Sequence, residues 1–92
     1  MEFEWDPSKA SENIRKHQVS FTEAATIFGD ALSLTVSDPD HSEQEHRYIT
    51  IGHSERGRPL MVAYTERLTR IRIISARMLT RKERQAYEKT QR

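Results

Sequence analysis

Apolar positions along the chain change period at defined points, and each change predicts an element. Phe21, Ala24, Ala25 and Phe28 recur at the i, i+3, i+4, i+7 spacing of a helical stripe that ends at Gly29. Ser20-Phe21-Thr22-Glu23 ahead of it has capping-box spacing. Upstream, Asp6 before Pro7 reads as an N-cap followed by a proline at the first helical position, which predicts an earlier helix running to about His17. From Ala31 the period becomes two. Leu32, Leu34 and Val36 alternate with Ser33, Thr35 and Ser37 until Asp38-Pro39-Asp40 breaks the run.

Three further strands are predicted over Arg47 to His53, Leu60 to Glu66 and Ile71 to Arg77. Their short connections imply an antiparallel meander. Thr80-Arg81-Lys82-Glu83 repeats the capping-box spacing and opens a last, mostly polar helix to about Thr90. The expected fold is therefore α+β: two N-terminal helices packed on a four-stranded antiparallel meander sheet, followed by a C-terminal helix, in one domain over residues 1–92.

Hairpin parity sharpens the picture, because opposed residues share a face. A turn at Leu68-Thr69 sets Glu66 against Ile71, Tyr64 against Ile73, Val62 against Ser75 and Leu60 against Arg77. The core face then gathers Leu60, Val62, Tyr64, Ile71 and Ile73, extended by Ile49, Ile51, Leu32 and Leu34. The other face holds Tyr48, Thr50, Met61, Ala63, Thr65, Arg72, Ile74 and Ala76.

Charge adds what the periodicity does not. The net of +1 conceals two opposite halves. Residues 1–46 carry three basic against ten acidic residues, a net of −7, and residues 47–92 carry twelve against four, a net of +8. Such asymmetry points to a polyanion or an acidic partner meeting the C-terminal half, with mutual neutralisation inside the fold as the alternative. There is no cysteine, so disulfides and thiolate metal cages are excluded. The acidic N-terminus has no secretion-signal pattern, and no apolar run reaches membrane-spanning length, so a cytoplasmic, membrane-free protein is expected. His41 and His46 flank Glu43 and Glu45, but this spacing suits a solvated acidic loop better than a metal site, and no metal or cofactor is expected.

The run Phe3-Glu4-Trp5-Asp6-Pro7, the segment Arg15 to Phe21, Glu45-His46-Arg47 with Ile51-Gly52, Ile71 to Arg77, and the ending Glu83 to Glu88 together closely resemble the BrnT toxins, in order and over nearly the whole chain. The resemblance implies a distant relative of the RelE and ParE toxin fold, an endoribonuclease that arrests translation, and a neutralising BrnA-type antitoxin. That partner is expected to bind operator DNA and carry the toxin there as part of a hetero-oligomer. Gln18 departs from the family, which usually has glycine after the histidine.

A metal-free ribonuclease needs a base for the ribose 2′-OH, cations for the phosphorane and an acid for the 5′-oxygen. Arg72 and Arg77 are the first choices for the cations, since a guanidinium grips phosphate through two parallel bonds. Strand alternation sends them to opposite faces, so both line one site only if Arg77 lies past the sheet or at a bulge; otherwise Arg77 is a scaffold ion pair with Glu45 or Glu66. His17 is the candidate acid or base, because a histidine ordinarily titrates near neutrality; finishing the first helix is its alternative role. His53 is a weaker substitute and Glu66 a possible base. Arg47, Arg56, Arg58, Arg70, Arg81, Lys82 and Arg84 would supply backbone-phosphate contacts. Tyr48 or Tyr87 could stack a base. Met61, Ile74, Met78 and Tyr87 are expected at the antitoxin seam. A non-catalytic antitoxin-binding co-repressor module and a ParE-like gyrase poison remain the competing readings.

Overall fold

The computed structural model describes residues 1–38 and 45–91. Strand β1 (Glu2–Glu4) is followed by α1 (Pro7–His17), α2 (Phe21–Ala25), a 3-10 turn (Thr26–Gly29), β2 (Leu34–Ser37), β3 (Arg47–His53), β4 (Pro59–Arg67), β5 (Arg70–Met78) and α3 (Arg81–Thr90). Among the described residues no helix is long and apolar enough to cross a membrane.

The helix starts follow from local chemistry. The Asp6 carboxylate accepts from Ser8 N–H, Ser20 Oγ accepts from Glu23 N–H, and Thr80 and Glu83 form a reciprocal capping box. Gln18 ends α1 in the left-handed region at φ 56°, and its N–H bonds Ile14 O, so a non-glycine residue fills the conformation that glycine usually takes. The stripe predicted to run unbroken to Gly29 tightens to 3-10 geometry after Ala25.

The sheet has five strands in the order β1-β5-β4-β3-β2, not four, and is mixed: β1 pairs parallel to β5 while the rest is the expected meander. Glu-Phe-Glu is too short to show a period in sequence. Past β1, Asn13 of α1 takes over the edge of β5; its amide donates to Ala76 O at 2.8 Å and Val19 O at 2.9 Å, and its Oδ1 accepts from Ala76 N at 3.1 Å.

Val19, Phe21, Ala24 and Ile27 pack on Leu60, Val62, Tyr64, Ile71, Ile73 and Ala76 to form the core. The predicted face of β3 is reversed. Tyr48, Thr50 and Gly52 lie opposite Tyr64, Val62 and Leu60 and face the helices, while Ile49 and Ile51 lie opposite Ala63 and Met61 on the other side. Steric crowding accounts for this: a Cβ at Gly52 would stand 3.0 Å from Ser33 Cβ and 3.1 Å from Asp30 Oδ2, so the turn after the 3-10 segment needs the smallest residue on its side. Leu34 and Val36 follow Ile51 and Ile49 to the outer face, and with Leu32 they are exposed rather than part of the core.

The second correction lies in β5. Ala63 opposes Ser75 but Tyr64 opposes Ile73, so Ile74 is an extra, bulged residue. Beyond it the parity inverts: Val62 meets Ala76, Leu60 meets Met78, and Met61 meets Arg77. Ala76 therefore turns into the core, and Ser75 and Arg77 turn outward.

Candidate functional site

The outer face of the sheet gathers several of the candidate residues. Arg72 shares it with Thr65 and Arg47 in one cross-strand row, and the bulge adds Ser75 and Arg77 to the same side. Exposed His17, at the last turn of α1, borders a cleft of about 250 Å³ with Arg47, Arg77, Asp38 and Met61. Ala63 and Ser75, both small, leave room at its floor. A cleft of that size with two guanidiniums, an imidazole and a carboxylate among its lining residues suits one phosphodiester. A larger hollow of about 710 Å³ between β1 and the 3-10 turn contains neither arginine nor lysine and does not suit an anion.

Arg77 is more heavily engaged than its sequence position suggested. Its Nη1 donates to Glu83 Oε1 at 2.8 Å and Met78 O at 3.2 Å; its Nη2 donates to Glu83 Oε2 at 2.9 Å and Met61 Sδ at 3.3 Å. The partner is neither Glu45 nor Glu66 but the capping-box residue of α3, which ties that helix to the sheet. This pair, with the Thr80 N–H as second contributor, holds the Glu83 carboxyl down at about 2. Only the Nε–H of Arg77 has no acceptor among the described residues.

Several other basic residues are structural. Arg58 makes a two-pronged bond to buried Glu23, which also accepts from Ser54 Oγ at 2.7 Å; these contacts, Arg58 foremost, keep the Glu23 carboxyl below its ordinary range. Arg56 is 3.8 Å from the same carboxylate. Arg70 pairs with Glu2 at 3.0 Å and Arg72 with Glu4 at 3.5 Å. Arg67, which sequence reasoning passed over, grips Glu45 through bonds of 2.8 and 3.0 Å. Much of the opposition between the two halves of the chain is thus resolved by internal ion pairs. Arg81 and Lys82 are exposed at the start of α3, and Arg84 approaches Glu88 at 4.0 Å.

The remaining predicted residues scatter. Glu66 opposes Ile71, on the helix side of the sheet and away from the cleft. Tyr48 stacks on Tyr64 with ring centroids 5.5 Å apart, so it extends the core instead of offering a face to a base. Tyr87 is buried and donates to Leu32 O at 3.1 Å; burial, then the nearby Asp30, pushes its hydroxyl pKa up. His53 packs against Tyr87 and lies 3.8 Å from Asp30. Met61 lies under Arg77, Ile74 lines a crevice along α1, and Met78 faces Leu60, so these three do not form one seam. His41 and Glu43 lie outside the described residues, and among the described residues no group of three acidic or histidine side chains is placed to hold a metal ion.

Residues 5–83 match the sequence profile of a family described as the ribonuclease toxin BrnT of type II toxin–antitoxin systems. The chain belongs to the BrnT family. It is accordingly a ribonuclease toxin of a type II toxin–antitoxin system. Its fold is similar to the crystal structure of the Brucella abortus ribonuclease toxin BrnT, with a TM-score of 0.66 at 20% identity, over 88% of this chain and 99% of that one. No curated protein sequence matches it. In this BrnT chain the outer-face cleft brings together an imidazole, two guanidiniums and a carboxylate.

Proposed function

We propose that this BrnT chain cleaves RNA internally at the His17 cleft, by attack of a ribose 2′-OH on its own phosphodiester and without a metal ion. The 2′-oxygen bonds to phosphorus as the bond from phosphorus to the 5′-oxygen breaks. The Asp38 carboxylate takes the 2′-OH proton, and the His17 imidazolium gives a proton to the departing 5′-oxygen. Arg47, with the Nε–H of Arg77, stabilises the extra negative charge on the phosphorane. The products are a 2′,3′-cyclic phosphate and a 5′-hydroxyl. Asp38 replaces Glu66 in this scheme because it borders the cleft and Glu66 does not.

The observation that carries the reading is the convergence of His17, Arg47 and Arg77 on one hollow from three separate elements. Arg72, Arg81 and Lys82 lie where they could guide the flanking RNA backbone. The test is cleavage of an oligoribonucleotide in chelator, with 2′-deoxy substitution at the cut site as control. Cyclic-phosphate product that disappears with the deoxy substrate supports the scheme; an intact ribo-substrate beside a folded toxin removes it.

The antitoxin, on this reading of BrnA type, covers the outer face. Leu32, Leu34 and Val36 are 61, 41 and 57% exposed on and beside edge strand β2, next to Ile49 and Ile51. An apolar edge of that kind is a template for strand addition. Val36→Glu should weaken antitoxin binding while RNA cleavage persists. Arrest of translation and operator repression as a toxin–antitoxin complex follow from the same reading.

A further inference from the structure

Thr65 is 1% exposed, and its hydroxyl is a buried side-chain oxygen without a hydrogen-bond partner among the described residues. Leaving such a group unsatisfied costs stability, and a strand position facing outward would accept valine without that cost. The surroundings of the hydroxyl are unusual. Thr65 lies opposite Arg72 on one side and Arg47 on the other, so three outward-facing side chains form a row of guanidinium, hydroxyl and guanidinium. Both arginines also help Arg67 hold the Glu45 carboxyl below its ordinary range, which places them within one electrostatic neighbourhood.

From this row we propose a second phosphate subsite: Thr65, Arg72 and Arg47 bind the backbone phosphodiester next to the one in the cleft. This rests on the RNA-cleaving reading above and extends it from the reacting phosphate to its neighbour. Along β4 the floor of the cleft is Ala63, and Thr65 is the next residue on the same face, about 7 Å further on. That step is comparable to the distance between consecutive phosphates in RNA. Arg47 borders both positions. The Thr65 O–H would donate to a phosphate oxygen held between the two guanidiniums, supplying the missing partner. Glu4 is the built-in competitor: it meets Arg72 by a single contact of 3.5 Å, loose beside the two-pronged Arg67–Glu45 pair, so Arg72 can exchange it for phosphate.

The experiment measures binding of a 2′-O-methyl oligonucleotide, which cannot be cleaved, to the full chain. Thr65→Val should weaken binding about tenfold, with thermal unfolding unchanged or slightly later, and Thr65→Ser should restore affinity. Glu4→Gln should tighten binding by more than Glu2→Gln, which makes the same charge change beside Arg70. Affinity unchanged by Thr65→Val, or equal gains from the two glutamine variants, would overturn the subsite. Cleavage of the matching ribo-oligonucleotide is read separately: a Thr65→Val binding defect in a chain that never cleaves keeps the subsite and rejects the nuclease reading, and unaffected binding in a chain that cleaves does the reverse.

Discussion

Arg77 lies on the same face of the sheet as Arg72 because Ile74, between them, is bulged out of register. In a regular strand an odd step in sequence would send the two guanidiniums to opposite sides. One unpaired residue therefore decides that Arg77 faces the cleft bordered by His17 and not the core.

In the proposed scheme His17 transfers a proton and has little structural duty. Its side chain is exposed and makes no hydrogen bond or ion pair among the described residues, so His17→Ala should change unfolding free energy by less than about 0.5 kcal/mol. Cleavage should fall by about 10²- to 10⁴-fold in kcat/KM, the range for losing a proton-transfer group. Matched urea titrations and single-substrate kinetics check both halves of the statement.

Arg58→Ala should show the opposite pattern. It strands the Glu23 carboxylate, 6% exposed, without its main partner, and a buried charge that loses its partner costs about 3–5 kcal/mol. In a domain with about 5–15 kcal/mol in all, the midpoint of urea unfolding should move far. Arg72→Ala, which breaks one loose contact, should change the unfolding free energy by less than about 1 kcal/mol and lower RNA affinity instead.

The Glu83 carboxyl, held at about 2 by Arg77 against an ordinary 4.5, links stability to pH. A carboxyl whose folded pKa is depressed contributes fully above its unfolded value and loses that contribution as protons bind. The stabilisation should therefore be complete above about 4.5 and decay between there and about 2. The pair is part-exposed, so its worth is on the order of 1 kcal/mol. Glu83→Gln should flatten the acid limb of the stability curve relative to the parent, measured by denaturant titration from pH 7 to pH 2.5. Parallel acid limbs in parent and variant would contradict the assignment.

Leu68, fully exposed, occupies a left-handed φ of 56° in the β4–β5 turn. A branched side chain there costs roughly 1 kcal/mol, so Leu68→Gly should stabilise the hairpin by a comparable amount, and the melting temperature should rise.

The sequence revealed the elements through signals that are local. Asp6-Pro7, Ser20 to Glu23 and Thr80 to Glu83 each declared a helix start that the structure has at the same place, since a cap depends only on its own turn. What required the tertiary context was missed. Strand β1 exists because β5 offers an edge beside it, and its three residues carry no period of their own. Ile49 and Ile51 look like core by hydropathy, yet the space next to Gly52 admits only the turn after the 3-10 segment. At the site, the candidates His17, Arg47 and Arg77 converge, with the bulge as the condition already visible in the parity argument. Tyr48 and Arg58 are engaged by partners far away in sequence, Tyr64 and Glu23, while Glu66 stands opposite Ile71 on the helix side of the sheet.

Product analysis by mass spectrometry, after the purified toxin meets an oligoribonucleotide in excess chelator, bears most directly on the His17 cleft. The account predicts fragments ending in 2′,3′-cyclic phosphate and beginning with 5′-hydroxyl, absent with His17→Ala. Full cleavage by His17→Ala, or fragments that carry a 5′-phosphate, would contradict it.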